Sequence, residues 1–207
     1  MTLSDRLITC YLSKFLPGSL LWRVKTKERA VYLTFDDGPI PGLTDEILKI
    51  LDEYEAKATF FCVGENVMRS PDLYREIIRA GHEVGNHSHH HLKGWTTTLD
   101  QYLNDVEEAS RYVESRLYRP PYGLITWKQA RALSKRYKVV MWSVLTKDYD
   151  PLVSPEQCLG NAVKGVKPGA IIVFHDNPKA RDKVLYALPR LLRYLKEEGY
   201  SCRVLSA

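Results

Sequence analysis

Four of the chain's six histidines fall in one heptapeptide, GNHSHHH, at positions 87, 89, 90 and 91. Imidazole nitrogens bind zinc at ~2.0–2.1 Å, so two rings that share an ion must converge on one point. Spacing limits which rings can do so. On an extended strand His87 and His91 stand ~13 Å apart, at ~3.3 Å per residue, which is too far. There His87 with His89, or His89 with His91, would pair instead. On a helical turn His87 and His91 are ~6 Å apart and face one way. The tract follows a β-rich run and precedes LKGW and a helical pattern, so the chain must curl here. That favours His87 with His91 and leaves the other pairings open. The competing reading is a solvated polar loop; an affinity-tag remnant is discounted because the tract is internal and broken by Ser88.

A third ligand should be a carboxylate or another histidine. The run YLTFDDGP places Asp36 and Asp37 directly after an apolar strand, where burial penalises an ionised carboxylate unless something uses its charge. One acid capping the turn GPIPG and the other in solvent is the structural reading, and it suits one aspartate better than two. A metal ligand beside a free carboxylate acting as base accounts for both.

The elements that must position these groups alternate. β-Rich runs occupy 30–35, 57–63, 82–86, 116–119, 138–144, 170–174 and 200–205, with helical patterns between most of them. Ser70-Pro71 and Ser154-Pro155 place an N-cap before a proline at the first helical position, with Gly81 and Gly165 near the far ends. Thr98 with Gln101 and Thr126 with Gln129 fit capping boxes, and Thr44 opens a helix with Asp45 and Glu46 in its first turn. Seven strands with intervening helices imply a largely parallel sheet. The reactive residues Asp36-Asp37, His87 to His91, Arg119, Asp148 and His175-Asp176 all follow strand ends. Five strand ends contribute, which favours a closed or nearly closed barrel over an open sheet with one crevice.

With 207 residues and 44% apolar composition, the chain suits a single core. Two segments are expected: an N-terminal helical extension over 1–29, packed on one domain spanning 30–207. The net charge of +5 is spread among nearly as many acids as bases, which excludes a nucleic-acid-binding stripe. Cys10, Cys62, Cys158 and Cys202 form no CxxC pair, and Cys62 in ATFFCVG reads as a buried free thiol. The N-terminal run is too broken for a membrane span of ~20 residues and matches a signal peptide poorly. Cytoplasmic location follows by default, with peripheral membrane contact through the N-terminus as the minor reading.

Four motifs in order, TFDDG (34–38), HSHHH (87–91), RPPYG (119–123) and FHD (174–176), closely resemble the polysaccharide deacetylases, carbohydrate esterases of family four with a NodB-like catalytic domain. The resemblance runs from about Val31 to Ala207 and implies an irregular (β/α) barrel of about seven parallel strands. It further implies a divalent metal, usually Zn2+ with Co2+ or another ion as substitutes, held by Asp37, His87 and His91, with His89 and His90 as bystanders. Asp36 would be the catalytic base and His175 the acid. Arg119 would steady Asp36, the backbone N–H of Tyr122 would face the oxyanion, and Asp148 would pair with His175. The substrate would be an N-acetylated carbohydrate and the products acetate and an amine. A three-ligand metal leaves open positions, activates water and polarises a carbonyl. The amine leaves only when protonated, a task for a histidine kept cationic by Asp148 or Asp176.

Three positions depart from the family pattern. In WSVLTKDYD, Leu145 replaces the first aspartate and Tyr149 the closing tryptophan, and Val173 stands where a leucine commonly lines the acetate pocket. Those changes prompt one rival reading, a carbohydrate-binding homologue that has lost catalysis. A second rival is a facial-triad iron(II) oxygenase, which needs neither a free carboxylate nor a protonating histidine beside the metal. Trp95, Tyr122, Trp142 and Tyr149 are candidates for stacking on sugars, with core packing the commoner use of any one. His82 reads as structural.

Overall fold

The computed structural model describes residues 20–207. The described residues form nine strands: β1 (Leu20–Leu21), β2 (Ala30–Asp36), β3 (Ala58–Cys62), β4 (Glu83–Asn86), β5 (Leu117–Tyr118), β6 (Lys138–Val140), β7 (Val144–Leu145), β8 (Ile171–His175) and β9 (Ser201–Cys202). Seven α-helices lie between them: α1 (Leu43–Glu53), α2 (Gly64–Arg69), α3 (Pro71–Arg79), α4 (Leu99–Ala109), α5 (Trp127–Leu133), α6 (Pro155–Lys164) and α7 (Arg181–Glu197). The main sheet runs β1-β6-β5-β4-β3-β2-β8-β7, and β9 pairs with the start of β2. Every strand pairing is parallel.

The sheet curls into an irregular barrel because β6 and β7, far apart in strand order, are joined by three residues. A chain that short spans only ~10 Å. The expected single strand over 138–144 is therefore two. Met141 N–H donates to Leu21 O and Ser143 N–H to Ile171 O, so the backbone leaves one end of the sheet and joins the other. Residues 1–19, with most of the expected helical extension, lie outside the described residues. What is described of the extension is a strand, β1, paired with β6 and followed by an isolated bridge from Arg23 to Ala170. No helix of the described residues is long and apolar enough to cross a membrane.

Alternation along β2 sets the two faces. Val31, Leu33 and Phe35 join the large core beneath α1, α6 and α7, where Phe35 stacks on Phe60 and Phe174. Tyr32 packs instead with Phe61, Leu117, Val140 and Ile171. Thr34 and Asp36 share its phase and so point into the barrel. At the opposite end from Asp36, the run expected as a strand over 200–205 pairs for two residues only. Leu205 then joins the Tyr32 cluster, its N–H donating to Thr59 Oγ1.

Helix ends largely follow the sequence signals. Thr98, Thr126 and Ser154 each accept a hydrogen bond from the N–H three residues on. Ser70 differs: its side chain makes no capping bond, because the unexpected helix α2 ends there and its N–H donates to Asn66 O and Val67 O. Cys62, Cys158 and Cys202 are free thiols, the first two buried.

Candidate active site

β2 delivers Asp36 on the barrel's inner face, and the next residue turns away from the strand with φ 89° at Asp37. Asn66 Nδ2 donates to Asp37 O at 2.7 Å and Asn177 Nδ2 to Asp37 Oδ2 at 2.5 Å. Asp37 Oδ1 is buried without a hydrogen bond, 3.1 Å from His91 Nε2 and 3.6 Å from His87 Nε2. Burial alone would raise this carboxyl; the two imidazoles and the charge of His175 outweigh it and hold Asp37 well below the usual carboxylate range.

The histidine tract curls, as its place between a β-rich run and a helical pattern required. Positive φ at Ser88 (64°) and His91 (56°) reverses the chain after β4 and brings the His87 and His91 rings to 5.0 Å. His87 Nδ1 donates to Arg119 O at 2.8 Å, which leaves the Nε2 lone pair facing Asp37. One ligand atom from each of Asp37, His87 and His91 lies within 4.8 Å of the others. An unpartnered carboxylate oxygen, an imidazole fixed in the metal-binding tautomer and a second imidazole fit a divalent cation. His89 and His90 turn toward α4 instead.

Two further pairs flank this cluster. Arg119 is fully buried; its Nη1 donates to Asp36 Oδ1 and Thr34 Oγ1, both at 2.7 Å, and its Nη2 to Met141 O at 2.9 Å. The guanidinium lies over the Phe61 ring at 4.1 Å. On the other side, fully buried Asp148 binds His175 twice, at Nδ1 (2.7 Å) and at the backbone N–H (2.6 Å). Burial would depress His175, but the charge and hydrogen bond of Asp148, with Asp37 and Asp36, carry it up to about 9. Of the two aspartates that could have kept His175 cationic, Asp148 is the partner. Asp176 instead accepts from Gly38 N–H (2.9 Å) and Thr44 Oγ1 (2.7 Å), anchoring the turn after β2 to α1. Burial, opposed by the Thr44 bond and reinforced by Asp37, pushes Asp176 up to about 8.

Asp36, Asp37, His87, His91 and His175 open on one cavity of about 680 Å³, with Tyr122, Trp142, Leu145, Tyr149 and Val173 among its walls. The sequence profile of the polysaccharide deacetylases matches residues 23–142. The chain belongs to this family. It is similar to a peptidoglycan-N-acetylglucosamine deacetylase of Bacillus cereus, 34% identical over 193 residues that cover 88% of this chain and 89% of that protein. It is also similar to a chitooligosaccharide deacetylase of Bradyrhizobium, 32% identical over 83% of this chain and 87% of that one. Among solved structures, a peptidoglycan N-acetylglucosamine deacetylase in complex with 4-naphthalen-1-yl-N-oxidanyl-benzamide superposes with a TM-score of 0.86 at 29% identity, covering 96% of this chain and 95% of that one. The barrel is the fold of these carbohydrate esterases.

Against the polysaccharide deacetylase pattern, the departures prove local. Tyr149 sets its ring edge-on to His175 at 5.0 Å, so an aromatic still walls this histidine. Leu145 and Val173 are neighbours on paired strands β7 and β8 and give the cavity an apolar side. Tyr122, with φ 59°, sits in a turn beside His91, ring to ring at 4.5 Å, and its own N–H donates to no group among the described residues. Trp95 is exposed and not part of the cavity wall. His82 is structural: buried, it accepts from Ala58 N–H and meets Phe60 edge-on.

Sequence reasoning missed several supports. Asn66 and Asn177 brace Asp37, Trp22 of the N-terminal segment lines the cavity, and Asp105 on α4 holds the backbone N–H groups of His89 and His90. Only Asp105 carried a signal: it shares the buried face of α4 with Tyr102, Val106 and Ala109, where a charge needs a partner.

Proposed function

We propose that the protein hydrolyses the acetamido group of N-acetylglucosamine units in a glycan, using Zn2+ on Asp37, His87 and His91. The observation that carries this reading is the Asp37 cluster between a carboxylate braced by arginine and a histidine braced by aspartate, all facing one cavity. The substrate class is supported by the acetylglucosamine and chitooligosaccharide deacetylases to which the chain is similar.

A zinc ion there would polarise the amide carbonyl and bring a water's pKa toward ~7. Asp36 takes the proton of the attacking water, and Arg119 holds its Oδ1 so that the other oxygen is left for that transfer. The Tyr122 N–H donates to the oxyanion as the carbonyl becomes tetrahedral, an interaction worth ~3–4 kcal/mol where one donor has been removed in other hydrolases. His175, whose pKa Asp148 raises against burial, protonates the amine nitrogen as the carbon–nitrogen bond breaks, and Asp148 keeps the ring oriented. An oxygenase would have no use for either flanking pair.

Acetate release from N-acetylglucosamine oligomers tests the assignment. We expect turnover that a chelator abolishes and zinc or cobalt restores. Tight sugar binding by calorimetry, with no acetate from a broad acetylated panel, would instead identify a binding homologue.

A further inference from the structure

The two histidines that turn away from Asp37 meet a third metal-binding side chain. We propose that His89, His90 and Glu108 form a second divalent-cation site, on the outer side of the same tract. One nitrogen from each ring and one Glu108 oxygen lie within 4.8 Å of one another. The rings are perpendicular, 4.5 Å between centroids, and His89 Nε2 stands 3.6 Å from Glu108 Oε1. His90 Nδ1 is engaged by Asp105 Oδ1 at 2.6 Å, so its Nε2 keeps a free lone pair, the carboxylate–histidine arrangement that orients a metal ligand. Asp105 and Glu108 are three apart on α4 and present themselves on one face.

His89 is only 3% exposed, and its Nε2 faces the Glu108 carboxylate at 3.6 Å, beyond hydrogen-bond reach. The ring cannot swing away to find a partner: it stacks on Tyr112 at 5.4 Å, and Gly64 approaches so closely that a Cβ there would stand 2.5 Å from Nδ1. A cation between Nε2 and Glu108 would use the one nitrogen of this ring that faces a carboxylate. Two imidazoles and one carboxylate suit Zn2+, Co2+, Ni2+ or Cu2+ rather than Mg2+ or Ca2+. The half-exposed side chains of His90 and Glu108 must be ordered on binding, so this site is the weaker of the two. Its occupancy ties the ligand-bearing tract to α4.

The test is a titration of metal-free protein with Zn2+ by calorimetry, repeated with Co2+ by visible absorption. The wild type should take two ions, the second at least ~tenfold weaker. Glu108→Gln and His90→Gln should each lose the weaker ion, and Asp37→Ala the tighter one, with far-UV circular dichroism unchanged. A single wild-type ion that disappears in Asp37→Ala, or a second ion that survives both Glu108→Gln and His90→Gln, overturns the proposal. An ion lost from Glu108→Gln but kept in Asp37→Ala supports this site even where the Asp37 cluster fails.

Discussion

Asp36–Arg119 and His175–Asp148 reach the Asp37 cluster from the paired strands β2 and β8, each a carboxylate–cation pair with one member at the cavity and one behind it. At the first the carboxylate lines the cavity, and the arginine behind it is wholly buried. At the second the imidazole lines the cavity, and the wholly buried member is the aspartate. Exchanging which partner is hidden exchanges the reagent offered, a proton acceptor on one side and a donor on the other. The hidden members are built differently. Arg119 spreads its donors over Asp36, Thr34 and two backbone carbonyls, Val140 and Met141, so it also staples β2 to β6 and the crossing segment. Asp148 gives both carboxylate oxygens to His175, and among the described residues these accept otherwise only from the Tyr149 N–H next to it.

Asp36→Asn attacks the acceptor side directly and should cost the most. We expect kcat to fall by ~10²–10⁴-fold, with metal content unchanged because Asp36 lies outside the proposed ligand set. Full activity in that variant would remove the assigned base. Arg119→Met should be felt first as instability, about 3–5 kcal/mol by urea denaturation, since it leaves Asp36 buried without its countercharge. A loss of activity without loss of stability would mean that the staple is not structural.

The donor side should respond through pH. With Asp148 in place His175 stays protonated up to about 9, against the depressing effect of burial. In Asp148→Asn burial prevails and takes the ring to its ordinary value or below, so the alkaline limb of kcat/KM should move to lower pH, with a loss of roughly 30-fold or more near pH 8 and a much smaller one at pH 6. A loss independent of pH would reduce Asp148 to an orienting role.

The sequence showed the reagents more clearly than their supports. Residues that follow strand ends, from Asp36 to His175, were legible because a parallel β/α pattern gathers its strand ends at one rim. The choice of His87 with His91 needed the curl that Ser88 and His91 provide through positive φ, a conformation spacing can require but not display. The break between β6 and β7 was invisible, because KVVMWSV is uniformly strand-like and only the closure of the sheet divides it. Ser70 read as an N-cap because Ser-Pro is the same signal whether or not another helix ends on that serine. Asn66, Asn177 and Trp22 reach the site by tertiary contact alone, with no periodicity or motif to mark them.

His82 sharpens the comparison by removing the carboxylate partner. It is buried, and burial and Lys57, only partly opposed by Asp52, take it down to about 4. Two histidines in one core thus shift in opposite directions, and the decisive difference is Asp148. The linkage has a definite sign. The unfolded chain takes up this proton near 6.5 and the folded one only near 4, so His82 supports folding above about pH 6.5. That support should be lost as pH falls from there to about 4, by roughly 2 kcal/mol once the ring's partial contact with water is allowed for. In His82→Gln, whose amide oxygen can still accept from Ala58 N–H, urea denaturation should show a correspondingly flatter decline across that window. Equal slopes in both proteins would mean that His82 takes up its proton without unfolding cost, and burial alone would then no longer explain why His175 needs Asp148.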